Sequence, residues 1–284
     1  MFEEVQRETS GAHTYVKVKP ANDPQYVRSI AKRVQSAYFD RQASRDQLIQ
    51  AVAELRNFDG SAFEVSAEDI ETALAEELNA VIPQEWKTES KRLKQLDVQR
   101  SELAEIIAHE VLVTIFGTVI PASRIKNKEI PDQPTRGADL IGLDDIDRNP
   151  VPVLVLSEVK GSGDAKSPPA VISGMREKLG ELTTDRRNLL QELTWLRENS
   201  EDQYARRCGK LYAYFVLNRG PLRVTLAPVL LRTASTSKDG DPGVFIDDAE
   251  SFGCDVRFTS VILDVADLFD FAVEVYRLAR ELDQ

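Results

Sequence analysis

A chain of 284 residues, 42% hydrophobic and 29% charged, is long enough to bury a substantial core and has the make-up of an ordinary soluble globular protein. No apolar run approaches the roughly 18–20 residues of a membrane span, and the opening Met-Phe-Glu-Glu-Val-Gln lacks the basic and apolar regions of a signal peptide, so a cytoplasmic protein without membrane contact is expected. A net charge of −11 argues against simple DNA binding, and two isolated cysteines, Cys208 and Cys254, exclude a disulfide framework and fit a reducing compartment.

In chain order, residues 1–95 read as a mainly helical region, a cap or a docking surface for the rest of the chain. A short strand over Thr14–Val18 precedes helices over Pro24–Tyr38, Arg45–Arg56 and Ala67–Ala80, with a further helix from Pro83. Asp23-Pro24 and Ser66 with Glu68 are helix-start signals. From residue 96 the pattern becomes helix, strand, strand, long helix, three strands and a closing helix. Leu103, Ile106, Ile107, Val111 and Ile115 recur at helical spacing over Arg100–Phe116, where Glu102 and Glu105 share a face. Ala138–Leu143 and Val153–Lys160 are apolar strands, and Pro169–Glu198 is a long helix. Leu211–Leu217 and Arg223–Leu231 read as strands joined by the turn Asn218-Arg-Gly-Pro221, Ser235–Pro242 as a mobile loop, Cys254–Val265 as a strand and Ala266–Leu282 as a helix. The alternation predicts an α/β fold, a mixed central sheet with helices on both faces, over residues 96–284.

Two of these strands carry the chemistry. Asp139 opens one, preceded by Gly137 and followed by the acidic turn Asp144, Asp145, Asp147; Glu158 and Lys160 end the other. Residues two apart on a strand share a face, so Glu158 and Lys160 project together, and pairing of the two runs as a hairpin would bring Asp139 beside Glu158. Mg²⁺ takes oxygen ligands, commonly one or two carboxylates with water and substrate phosphate. Asp139 and Glu158 supply such oxygens, and Lys160 can position water and neutralise charge on a phosphoryl group. An isolated Glu-x-Lys is more often a solvated pair at a strand end. The strand context, the upstream Asp, the helix acids and the slim Gly161-Ser-Gly163, which would let a phosphate approach, favour a site.

The order helix-borne Glu102 or Glu105, Asp139, then Glu158-x-Lys160 resembles the PD-(D/E)xK superfamily, the restriction-endonuclease-like nucleases, although the family's usual Pro before the Asp is replaced by Ala138. More narrowly, Arg100-Ser-Glu-Leu-Ala-Glu105, Thr135-Arg-Gly-Ala-Asp139 and Ser157-Glu-Val-Lys-Gly-Ser162 are similar to the nuclease-subunit family of the Hachiman anti-phage defence system, over roughly residues 95–280. The resemblance implies a Mg²⁺-dependent DNA nuclease, with Mn²⁺ as an alternative cofactor, and a helicase (ATPase) partner that controls it. It implies Asp139 and Glu158 as metal ligands, Lys160 as the catalytic lysine and a helix acid completing the set. Ala104 stands where the family carries Gly before its Glu, which leaves Glu102 and Glu105 as alternatives; Glu105 is the preferred one.

The charge distribution is compatible with DNA. Gly161–Arg232 carries 12 basic against 8 acidic residues, whereas Asp239–Gln284 carries 3 against 12 and could face a basic partner. Other chemistries fit poorly. Ser123-Arg-Ile-Lys126 and Ser157-Glu-Val-Lys160 match Ser-x-x-Lys without the companion motifs of acyl-transfer enzymes. Gly161-Ser-Gly-Asp-Ala-Lys166 is not a phosphate-binding Walker loop, and two histidines, His13 and His109, do not make a zinc site. Trp86 and Trp195 fall on helical patterns as packing residues. The competing function is a non-catalytic module of the same fold that binds nucleic acid or a partner.

Overall fold

The computed structural model describes residues 1–59, 65–83, 92–128, 137–146, 149 and 151–282. Thr135, Arg136, Asp147, Trp86 and the first turns of the helix expected from Pro83 lie outside them.

The chain begins with a hairpin. Strands β1 (Phe2–Ser10) and β2 (His13–Pro20) pair antiparallel around Gly11, which takes the positive φ of 59° that a tight connection favours. Only β2 was expected; β1, with Glu3, Glu4, Arg7 and Glu8 along it, is a polar edge strand that presents no apolar alternation. Helices α1 (Tyr26–Tyr38), α2 (Arg41–Asp59) and α3 (Ala67–Val81) follow as expected. At the start of α3 the Ser66 hydroxyl accepts from the Asp69 N–H at 3.1 Å, and the Asp69 carboxylate accepts from the Ser66 N–H at 2.8 Å. This is a reciprocal cap made by Asp69 in place of Glu68. Helix α4 (Arg92–Phe116) then leads to β3 (Leu140–Asp144) and β4 (Val153–Ser157), paired antiparallel with Leu140 opposite Ser157.

The expected strand Val153–Lys160 breaks at Glu158 into β4 and β5 (Val159–Gly161), and Arg223–Leu231 breaks into β6 (Val224–Leu226) and β7 (Val229–Thr233). The two breaks lie side by side, because β4 pairs parallel with β6 and β5 with β7. Pro228, which has no N–H to donate, sits in the second gap. Bonds from Ala227 N–H to Leu156 O (2.8 Å) and from Val229 N–H to Glu158 O (2.9 Å) carry the ladder across it. Strand β8 (Asp255–Leu263) runs parallel to β6 and β7 on one side and to β2 on the other. The result is one mixed eight-stranded sheet, ordered β1, β2, β8, β6, β4, β3 with β7 and β5 continuing the inner strands.

Two expectations fail in the second half. Pro169–Glu198 is not one helix but α5 (Val171–Thr184) and α6 (Arg186–Asn199), separated at Asp185, whose carboxylate accepts from the Arg187 N–H at 2.7 Å and so starts a new helix. Leu211–Leu217 is the end of helix α7 (Asp202–Val216), not a strand: Cys208, Leu211 and Phe215 are buried at helical intervals. The Asn218–Pro221 turn therefore joins a helix to β6. After a short helix, α8 (Val244–Asp247), and β8, helix α9 (Leu268–Glu281) closes the described chain.

Strand alternation sends side chains to two apolar layers. On one face Val16, Val18, Val155, Val159 and Val261 meet α1, α3, α4 and α9; on the other Leu154, Leu156, Leu226 and Phe258 meet α5, α6, α7 and α8. Among the described residues no helix is long and apolar enough to cross a membrane.

Candidate active site

The β3–β4 hairpin places Asp139 one step beyond Leu140, opposite the point where β4 ends at Ser157. There the Asp139 Oδ2 atom accepts from the Val159 N–H at 2.7 Å, so a side chain replaces the ladder bond that the break at Glu158 would otherwise leave open. The expected convergence of Asp139 with Glu158 and Lys160 is present. Lys160 Nζ is 2.5 Å from Glu158 Oε1 and 3.8 Å from Asp139 Oδ2.

A second lysine completes the cluster. Lys178 reaches in from α5, its Nζ 3.1 Å from Asp139 Oδ1 and 2.5 Å from Glu158 Oε2. The Glu158 side chain is only 1% exposed, whereas those of Lys160 and Lys178 are 39% and 36% exposed, so solvent reaches the acids from the lysine side. No local motif marks Lys178 in the sequence.

The backbone before Asp139 is clamped by two further residues that spacing does not reveal. Arg124 Nε donates to Ala138 O at 2.8 Å, Glu192 Oε2 accepts from the Ala138 N–H at 3.3 Å, and Arg124 and Glu192 pair at 2.6 Å. Arg124 also lies over the Trp195 ring, 4.0 Å from its centre. Gly137, at φ 88°, is required here twice over: besides that backbone conformation, a Cβ would come within 2.2 Å of Glu192 Oε1. Beyond Lys160, nothing lies within 4 Å of a Cβ placed on Gly163, so the loop is open on that side.

The two helix acids part company. Glu102 turns to the Tyr38 hydroxyl and the Lys128 ammonium, with Tyr38 bonded in turn to the buried Tyr276 at 2.9 Å. Glu105 is buried and feels the charges of Asp139, Lys178, Lys160 and Glu158. Its pKa is raised well above the usual carboxylate range, by burial first and by Asp139 second, with the two lysines opposing. Burial, then Asp139, also raises Glu158. Burial disfavours the Lys178 ammonium, yet Asp139 and Glu158 together hold its pKa above the ordinary lysine value.

Among the described residues no group of three or more His, Cys, Asp or Glu side chains is gathered to hold a metal ion. Glu105 is thus not gathered with Asp139 and Glu158 as the third ligand that was expected, and the candidate donors are that pair, whose carboxylate oxygens already hold the Lys178 ammonium between them. Two carboxylates with water and phosphate suffice for Mg²⁺, so the residues fit such an ion.

Comparison with known families adds a decisive observation: the family model HamA matches residues 8–276. The chain belongs to the HamA family. HamA is a component of Hachiman anti-phage defence, which gives the chain a role in that defence. The HamA match takes in Glu105, Asp139, Glu158, Lys160 and Lys178, and it extends through most of residues 1–95, well beyond the stretch over which the motifs alone carry the resemblance. A search of curated proteins finds no match.

Proposed function

We propose that this HamA-family chain is the nuclease of its defence system, a restriction-endonuclease-like, Mg²⁺-dependent phosphodiesterase that cuts DNA, can take Mn²⁺ instead, and is held in check by a helicase partner. The observation that carries this reading is the meeting of Asp139, Glu158 and Lys160 at the break between β4 and β5. Bound between Asp139 and Glu158, the cation would supply Lewis acidity and lower the pKa of attacking water. Lys160, on the exposed side, stabilises negative charge as it develops on the phosphoryl group. Glu105, buried on α4 and acted on by their charges, is the accessory acid. Exposed Arg186, Arg187, Arg206 and Lys210 on α6 and α7 offer phosphate contacts that the net charge of −11 otherwise disfavours.

A second reading, a binding module without catalysis, is favoured by one observation: the two acids and two lysines already form a closed set of ion pairs. Plasmid cleavage with Mg²⁺ decides between them, with and without the helicase that copurifies from the native host. Glu158→Ala and Lys160→Ala, checked for folding by circular dichroism, are each expected to lower cleavage by about a hundredfold or more. No cleavage by the wild type with any metal or partner would overturn the nuclease reading in favour of the binding module.

A further inference from the structure

Lys178 has no part in the proposed phosphodiesterase chemistry, yet it holds the central position of the site. It takes one oxygen from each carboxylate, Asp139 Oδ1 at 3.1 Å and Glu158 Oε2 at 2.5 Å, whereas Lys160 stands 2.5 Å from Glu158 Oε1 and 3.8 Å from Asp139 Oδ2. A point that receives one oxygen from each of two carboxylates is where a bridging divalent cation would sit. An ammonium and a divalent ion cannot share it, since like charges at such separations repel strongly in a partly buried site.

We propose that Lys178 is a built-in occupant of the divalent-cation position, neutralising Asp139 and Glu158 until a divalent ion displaces it, and that it thereby sets how tightly the site takes metal. The inference rests on the metal-site reading of Asp139 and Glu158. Lys178 is suited to leaving. Its side chain is 36% exposed, so a path to water exists, and a lysine is a flexible point charge with none of the fixed fork by which arginine locks onto carboxylates. The site does not need Lys178 to keep its shape, because Asp139 is held by the Val159 N–H and its backbone by Arg124 and Glu192. Lys160, on β5 two residues after Glu158, stays to act on substrate after Lys178 has withdrawn.

Mn²⁺ binding by the full chain, measured by isothermal titration calorimetry in the absence of DNA, tests this. Lys178→Met is expected to lower the Kd for Mn²⁺ by about tenfold or more, Lys178→Arg to raise it, and Glu158→Gln to abolish binding in every background. In the wild type, saturating Mn²⁺ is expected to speed acylation of the Lys178 amine by a water-soluble reagent severalfold, read by mass spectrometry. This second measurement needs no variant to fold. An unchanged or higher Kd for Lys178→Met, or an acylation rate indifferent to bound Mn²⁺, overturns the role of Lys178 and leaves the metal site standing. Absence of any Glu158-dependent Mn²⁺ binding, in wild type and variants alike, removes both.

Discussion

Glu102 and Glu105, three residues apart on α4, have opposite surroundings: Glu102 is paired with the Lys128 ammonium and accepts from the Tyr38 hydroxyl, while Glu105 is buried with carboxylates nearby. Burial and the charges of Asp139 and Glu158 outweigh the two lysines and favour the protonated form of Glu105. A carboxyl whose pKa is higher in the folded chain than in the unfolded one binds its proton more tightly when folded. Its stabilising contribution is full below the ordinary Glu value of 4.5 and is lost as pH rises through the higher folded value. In protein freed of divalent ions, Glu105→Gln should therefore raise the Tm by a few degrees at pH 8, with the gain shrinking toward zero near pH 5. A gain that is the same at both pH values would show that Glu105 is not protonated on folding. The acids and Lys160 were legible because a two-residue strand period and a hairpin register fix who meets whom. Lys178, Arg124 and Glu192 were not, because nothing local distinguishes a charged helix or loop residue that turns inward from the many that face water.

At the scale of elements, the strands and helices that failed expectation did so where local preference met tertiary packing. Leu211–Leu217 is rich in aromatic and branched residues, which favour strands, but the burial of Cys208, Leu211 and Phe215 on one helical stripe prevails. The break at Glu158 is marked by no Gly or Pro within its own run; it lies beside the gap at Ala227-Pro228 in the neighbouring strand, which local sequence does not reveal. The segment Ser235–Pro242, expected to be mobile, is tied down. Arg232, fully buried, pairs with buried Asp241 at 3.0 Å and donates to Ser162 O, Lys166 O and Thr236 O, joining this loop to the one that follows Lys160. Arg232→Met would leave Asp241 charged without its partner and three carbonyls without their donor, a loss of about 3–5 kcal/mol. The double variant Arg232→Met, Asp241→Leu removes the orphaned charge but leaves the carbonyls, so chemical denaturation should recover only part of that loss. Full recovery would mean that Arg232 serves Asp241 alone.

For the whole molecule, the question is whether residues 1–95 are an appendage or part of one folding unit. Strand β2 lies against β8 in parallel register from His13 opposite Val256 to Val18 opposite Val261, with Val16 and Val18 fully buried. Helix α1 buries Ile30, Ala31 and Val34 in the same apolar layer as Phe271, Val275 and Ala279 of α9. The Gln35 side-chain amide donates to Ala279 O at 3.2 Å, and Arg280 donates to Pro83 O at 2.9 Å. Tyr38, at the end of α1, reaches Glu102, one turn from Glu105. Without the N-terminal part, β8 would become an exposed apolar edge and one face of α9 would be stripped. A chain of residues 96–284 is accordingly expected to aggregate, or to melt without a cooperative transition, where the full chain melts as a unit. The reverse result, a soluble fragment melting cooperatively within a few degrees of the full chain, would make residues 1–95 a separable cap. If the fragment does fail, residues 1–95 belong to the unit that carries the site, to which Tyr38 connects through Glu102, and Tyr38→Phe in the full chain should then lower plasmid cleavage while leaving the fold intact.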